Sequence, residues 1–233
     1  MTGMSSRISE YRAFWREFRR TFHTTGAVLP SGKRLCRALA SQVGRDERPR
    51  RILEVGPGTG AVTVEILRRL GPEDRLDLVE INERFAEILR RRLHEDHQWQ
   101  PLSAQVRVLQ VPVEELSLED KYECIVSGLP LNNFACDFVR CILEHFHGLA
   151  AEGCTLSFFE YVAIRNFKAI ISSREERKRL QSIGRLLQGE LNDWEFDRQL
   201  IVANVPPAWV HHLRYAAPLS ASEEFPLVQP AVC

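Results

Sequence analysis

Glu54, Gly56, Gly58 and Gly60 stand at alternate positions in the run Arg51-Ile-Leu-Glu-Val-Gly-Pro-Gly-Thr-Gly60, and Glu80 follows twenty residues after the last glycine. Glycines so spaced make a turn whose backbone can approach a ligand closely, because no side chain intervenes. The apolar run at 51–55 reads as a buried strand. Beyond the turn, Val62, Ile66, Leu67 and Leu70 recur at helical spacing until Gly71. A strand, a glycine turn and a helix with its N-terminus toward the turn form a cradle for a nucleotide-like ligand. A second apolar strand at 75–80 delivers Glu80 at its carboxyl end, where a carboxylate accepts hydrogen bonds from the two hydroxyls of a ribose. Ile81, the next residue, belongs to the same expected site.

Positioning these groups requires a sheet. Apolar strand signals at 51–55, 75–80, 105–110, 123–127 and 154–160 alternate with helical ones near 60–70, 82–95 and 134–148. The alternation predicts an α/β fold with a mainly parallel sheet wound on both faces. Residues 199–203 and 209–215 flank Asn204-Val-Pro-Pro207 and predict a closing antiparallel hairpin. Before the first strand a helix is expected over 32–43, with Ser31 as its cap. The expected organisation is an amphipathic helix and lid segment over 1–30, the α/β domain over 31–215 and an extended tail over 216–233.

The glycine pattern is narrower than a general dinucleotide turn. G-x-G-x-x-G would need glycine at 61, where the chain has Ala61, whereas E-x-G-x-G-x-G runs from Glu54 to Gly60. That sequence resembles motif I of the class I S-adenosylmethionine-dependent methyltransferases, whose fold has a Rossmann-like sheet. The resemblance implies that Glu54 works near the amino-acid end of the cofactor while Gly56, Gly58 and Gly60 make room for it. Ahead of motif I, Thr24-Thr-Gly-Ala-Val-Leu-Pro-Ser31 resembles a segment shared by bacterial phospholipid N-methyltransferases and rRNA adenine dimethyltransferases. In those families it folds over the cofactor pocket, which implies lid roles for Thr25 and Ser31. After the third strand they commonly carry Gly-Asp-Ala, whose acid accepts from the adenine amino group. This chain has Val111-Pro112-Val113 and then Glu114-Glu115, so either Glu114 substitutes or backbone alone holds the adenine.

On the reaction side, Ser127-Gly-Leu-Pro-Leu-Asn-Asn-Phe134 follows the fourth strand, where nitrogen methyltransferases of this class place their acceptor loop. Enzymes acting on nucleobases have an aromatic residue after the proline to stack on a flipped base. Here Leu131 follows Pro130, and Phe134 stands three residues late. The loop instead resembles that of bacterial phospholipid N-methyltransferases, which implies acceptor contacts from Ser127, Gly128, Leu129, Pro130 and Asn132. As a plain turn it would lead into a helix capped by Asn132 or Asn133. Past the fifth strand the resemblance implies that Tyr161 faces the acceptor and that Arg165 meets the lipid phosphate. Glu160 is read either as a group that attracts the ammonium or takes its proton, or as a surface carboxylate. A basic cluster, Arg174, Arg177, Lys178 and Arg179, opens a helix over 165–191 with Leu180, Ile183, Leu186 and Leu187 on its apolar face. Arg177 is a candidate for the substrate phosphate, against the plainer account of a solvated cap helix.

Charge is balanced, with 31 basic and 31 acidic residues among 233, which argues against a chain that coats nucleic acid. No apolar run reaches the roughly 18 residues of a spanning helix, and an apolar signal-peptide core is not expected. The six cysteines form no C-x-x-C pair, so neither a metal nor a disulfide framework is expected. Ile8, Tyr11, Trp15, Phe18 and Phe22 make an apolar stripe on one helix, flanked by Arg12, Arg16 and Arg19. The arginine flanks suit a helix lying in an anionic bilayer surface, while the plainer reading is a helix packed on its own domain. The resemblance to bacterial phospholipid N-methyltransferases implies methyl transfer from S-adenosylmethionine, with S-adenosylhomocysteine as product, to the head-group amine of phosphatidylethanolamine. The enzyme would be cytoplasmic, peripherally bound to the cytoplasmic membrane. RNA adenine N6-methylation and a non-catalytic lipid-binding module are the competing functions.

Overall fold

A computed structural model describes residues 32–44, 48–162, 174–204 and 206–215. Seven strands form one sheet: β1 Arg51–Val55, β2 Arg75–Val79, β3 Val106–Leu109, β4 Tyr122–Ser127, β5 Ala150–Tyr161, β6 Glu195–Ile201 and β7 Ala208–Arg214. Their order is β3-β2-β1-β4-β5-β7-β6, with β1 to β5 parallel and β7 antiparallel to both of its neighbours. Among the described residues the α-helices are α1 Lys33–Leu39, α2 Thr63–Leu67, α3 Glu83–Glu95, α4 Cys136–Leu149 and α5 Arg174–Trp194.

The central strands are apolar on both faces because both are covered, as parallel crossovers require. One core, built on Leu53, Ile125, Leu156 and Phe158, lies under α4 and the buried Ile183 and Leu187 of α5. The other, around Ile52, Leu76, Val126 and Val210, is covered by Leu35 and Leu39 of α1 and by Leu89 and Leu93 of α3. A buried polar link reinforces the second face: His212 of β7 meets the Ser157 hydroxyl at 2.8 Å and that of Ser41 at 3.4 Å. Asp77 of β2 is buried and accepts from Nε and Nη2 of Arg107 at 2.7 and 2.6 Å and from the Tyr122 hydroxyl at 2.9 Å.

Three local expectations are corrected. Regular helix after the glycine turn runs only over Thr63–Leu67, because residues 57–62 are spent on turns, and so short a helix contributes little dipole to the site. The helix after the fourth strand begins at Cys136 with Ala135 at its N-cap, and neither Asn132 nor Asn133 caps it. Those two asparagines lie in a separate 3-10 turn, Leu131–Asn133. The last hairpin begins at Glu195, four residues before the expected start.

Candidate functional site

The site gathers at the carboxyl ends of the parallel strands, where strand order reverses between β1 and β4. Val55 is in register with Val79 of β2 and with Ser127 of β4, so Gly56, Glu80 and Gly128 leave the sheet side by side. Main-chain bonds continue the pairing: Gly56 N donates to the Val79 carbonyl at 2.9 Å, and Gly128 N to that of Val55 at 2.8 Å. The two loops touch so closely that a Cβ on Gly128 would lie 2.7 Å from the Gly56 carbonyl oxygen.

Glu80 organises the turn. It is 3 % exposed; its Oε2 accepts from Gly58 N at 3.0 Å and its Oε1 from Asn82 N at 2.8 Å. Asn82 in turn caps α3 by accepting from Phe85 N at 3.1 Å. Gly58 has φ +59°, and a Cβ built there meets nothing within 4 Å among the described residues, so they leave space at the position expected to admit a ligand. The turn is closed from below by Trp99, whose ring would lie 2.6 Å from a Cβ at Gly60. Arg92 stacks on Trp99 at 4.0 Å and donates to the Thr59 carbonyl at 3.0 Å, a support that no local pattern announced.

Two further carboxyl groups have oxygens without partners among the described residues. Glu54, 1 % exposed in β1, leaves Oε2 unbonded; burial above all, with repulsion from Glu80, pushes its carboxyl up to about 8, while Thr63 beside it acts the other way. Glu114 sits in the 3-10 turn Val113–Glu115 that follows β3, with Oε2 buried and unbonded, and burial raises its carboxyl as well. Buried, unsatisfied acceptors near the strand ends suit a ligand that brings donors and positive charge. Ile81 packs half-buried against the α4-side core.

The loop after β4, expected to meet the acceptor, lies on the α4 side of the sheet. Leu129 and Leu131 are each 1 % exposed and Phe134 is 2 % exposed, all within that core. Phe134 packs edge-on against Phe138 at 5.3 Å, so its ring is committed to packing. Ser127 is fully buried, and its hydroxyl accepts from Leu129 N at 3.3 Å. Asn132 is 7 % exposed, with Oδ1 unpartnered among the described residues. From α5, Arg179 donates to the carbonyl oxygens of Asn132, at 3.2 Å, and of Phe134, so one member of the basic cluster anchors the loop. Arg177 is exposed on the same helix.

Val126 pairs with Ser157, so β5 continues four residues further, carrying Glu160 and Tyr161 above the edge of the sheet. Alternation puts these two on opposite faces. Glu160 lies with His211 on the α4 side, while Tyr161 sits against Phe159 at 5.1 Å on the α1 side, where burial raises its hydroxyl. Thr25, Ser31, Arg165 and the membrane candidates Tyr11, Arg12, Trp15, Arg16, Phe18 and Arg19 fall outside the described residues. A cavity of about 700 Å³ opens at the other, amino edge of the sheet, between Arg50, Glu123 and Arg214, and takes no part in this site.

Residues 52–153 match the family model described as a methyltransferase domain. Over 94 residues the chain is 31% identical to the ornithine lipid N-methyltransferase of Singulisphaera acidiphila, covering 40% of this chain and 48% of that protein. The chain thus spans about half the length of the curated relative it matches. Among solved structures it is similar to an O-methyltransferase from Bacillus cereus in complex with S-adenosylhomocysteine, with TM-score 0.58 and 17% identity over 87% of this chain and 91% of that one. It is also similar to 1,6-didemethyltoxoflavin-N1-methyltransferase from Burkholderia thailandensis, solved with its substrate and S-adenosylhomocysteine. There the TM-score is 0.58 and the identity 19%, over 89% and 90% of the two chains.

The fold is the Rossmann-like α/β fold of methyltransferases, a mostly parallel seven-stranded sheet with antiparallel C-terminal strands, as expected from the sequence. S-adenosylmethionine is the cofactor that goes with this fold, and the open face of Gly58, the buried Glu80 and the unpartnered oxygens of Glu54 and Glu114 fit it. Among the described residues no group of His, Cys, Asp and Glu is arranged to hold a metal, and no helix is long and apolar enough to cross a membrane.

Proposed function

We propose that this chain methylates the head-group amine of phosphatidylethanolamine, using S-adenosylmethionine, at a membrane surface. The observation that carries the choice of acceptor is the buried state of Leu131 and Phe134 in the loop after β4. With Leu131 behind Pro130 and the Phe134 ring packed on Phe138, the loop offers no flat face for a nucleobase, which disfavours RNA. The stretch similar to ornithine lipid N-methyltransferase supports a lipid amine.

The bound cofactor supplies a methyl group activated on a sulfonium sulfur, so the chain's residues need mainly to bind, orient and exclude water. Glu80 would accept from the ribose hydroxyls and Glu114 from the adenine amino group. Glu54 would face the positively charged amino-acid end, and the absent Cβ of Gly58 leaves the room required. The head-group amine arrives as an ammonium and must first lose a proton, to water or to a side chain; the loop from Ser127 to Asn132, pinned by Arg179, would then orient its lone pair toward the methyl carbon. The aromatic and arginine stripe of residues 8–22 would bring this edge of the sheet to an anionic bilayer, with Arg165 and Arg177 near the lipid phosphate.

The deciding assay offers labelled S-adenosylmethionine with anionic liposomes containing phosphatidylethanolamine and, in parallel, with structured RNA. Label in a methylated ethanolamine lipid is the expected result. Label in RNA, or in neither while the cofactor still binds, would reject this acceptor.

A further inference from the structure

We propose that Asn132 and Glu160 form the subsite for a cationic amine, with His211 and Glu195 as positioning residues behind Glu160. The proposal rests on the amine methylation proposed above and adds which side chains meet the amine and why an amine is chosen over a hydroxyl.

Asn132 supplies the first half. Its side chain is buried in the loop after β4, yet Oδ1 has no hydrogen-bond partner among the described residues. A buried amide oxygen without a donor is costly, and a ligand N–H removes that cost. The main chain at this residue is fixed, because Arg179 reaches from α5 to the carbonyls of Asn132 and Phe134. The main chain that carries this side chain is therefore held in place before a ligand arrives.

Glu160 supplies the second half. It is 4 % exposed near the carboxyl end of β5, on the sheet face that also packs Leu129, Leu131 and Phe134 of the loop. Behind it on β7, His211 stacks on Phe158 at 5.2 Å, with Nε2 3.5 Å from Glu160 Oε2 and Nδ1 2.6 Å from Glu195 Oε1. Burial alone would lower the imidazole pKa, but hydrogen bonds and charge from the two carboxylates raise it above the ordinary value. Arg198 of β6, the register partner of His211, directs its guanidinium over Trp209 at 5.2 Å. Two carboxylates thus flank one imidazole.

The chemistry of these groups selects the ligand. Both offer acceptor oxygens, and one of them carries charge, so an ammonium with several N–H donors satisfies both. A neutral hydroxyl has one donor and gains nothing from the charge, and an anionic acceptor is repelled. A carboxylate here also offsets the repulsion between a cationic acceptor and a sulfonium cofactor at the same edge of the sheet.

The test uses the full chain and two readouts. The first is methyl transfer to phosphatidylethanolamine dispersed in neutral detergent, with Glu160→Gln, Asn132→Ala and His211→Gln compared with wild type. Glu160→Gln should raise KM for the lipid by about tenfold or more and Asn132→Ala by a few-fold, with S-adenosylhomocysteine affinity unchanged. His211→Gln should shift KM in the same direction, and Glu160→Asp should recover part of the loss. Unchanged KM in Glu160→Gln, or an equal loss of cofactor affinity in all variants, would overturn the subsite. The second readout needs no turnover: phosphoethanolamine and glycerol phosphate are compared as ligands of the protein saturated with S-adenosylhomocysteine. The amine alone should bind wild type, and neither should bind Glu160→Gln. A wild type inactive on the lipid but selective for the amine would reject the lipid acceptor and keep the subsite; equal binding of amine and alcohol would reject the subsite itself.

Discussion

The main-chain nitrogen of Gly58 donates to Oε2 of Glu80 at 3.0 Å, tying the glycine turn after β1 to the carboxylate at the end of β2. One residue thus fixes the shape of the turn and presents the charge that would meet a ribose. Glu80 is held from both sides, since its other oxygen accepts from Asn82 N at the head of α3. Substitutions at the turn should therefore separate into those that alter ligand space and those that alter the fold.

Gly58→Val belongs to the first kind. The new side chain has free space, so the folding cost is that of holding a branched residue at φ +59°, roughly 1–2 kcal/mol. S-adenosylhomocysteine binding should be lost, while thermal unfolding stays cooperative and moves down by several degrees. Gly128→Val should do the reverse in order of severity, because its Cβ alone would sit 2.7 Å from the Gly56 carbonyl oxygen and drive the two loops apart. Calorimetry of binding and of unfolding on both variants distinguishes the two effects.

Glu54 makes the site sensitive to pH. Burial raises its carboxyl to about 8 in the free protein, so at neutral pH it is largely protonated. Binding a cationic ligand at this end favours the carboxylate, so cofactor binding should release a proton and affinity should rise between about pH 6 and pH 8. For stability the sign is opposite. The folded state binds the extra proton between the ordinary carboxyl range and about 8, so stability falls as pH rises through that window. Glu54→Gln should flatten both dependences, raising Tm at alkaline pH and weakening cofactor binding. Titration calorimetry in buffers of different ionisation enthalpy counts the proton directly, and an affinity that does not change with pH would reject the role given to Glu54.

These groups were not equally legible in the sequence. Glu54, the three glycines and Glu80 were readable because a parallel strand ends in a turn at the switch point, and the whole arrangement sits within thirty residues. The five parallel strands and the closing hairpin were readable for the same local reason, as apolar runs bounded by turn residues. Arg179 was legible only as a member of a basic cluster, since what it touches lies 45 and 47 residues earlier. His211 and Glu195 carried no signal at all: an alternating strand gives each residue a face but not a cross-strand partner, and the register is set by a bulge between Glu195 and Asp197. The helix start at Cys136 was misplaced because asparagines suit caps and 3-10 turns alike.

Arg179 anchors the loop after β4 through two carbonyl groups, which leads to a defined kinetic outcome under the proposed function. Arg179→Met keeps the apolar stem on α5 and removes both donors. The loop should lose its fixed position, lowering kcat about tenfold, with S-adenosylhomocysteine affinity within a factor of about two of wild type. Arg179→Lys should recover part of the rate, since one ammonium cannot reach both carbonyls with the geometry of a guanidinium. Loss of cofactor affinity in parallel with rate would mean that the side chain supports the whole fold.

Membrane attachment through the helix expected at residues 8–22 has a test that separates it from core packing. Trp15 and Phe18 lie on the apolar stripe, with Arg12, Arg16 and Arg19 beside it. If the stripe enters a bilayer, Trp15→Glu with Phe18→Glu removes aromatic burial and places two negative charges against an anionic surface. Activity on liposomes should then fall by about tenfold or more, while activity on detergent-dispersed lipid holds, and flotation with anionic vesicles should be lost. If the stripe instead packs on the α/β domain, burying two carboxylates costs several kcal/mol and lowers Tm and both activities together. The comparison turns on the ratio of the two activities, so a loss of active protein common to both assays does not obscure it.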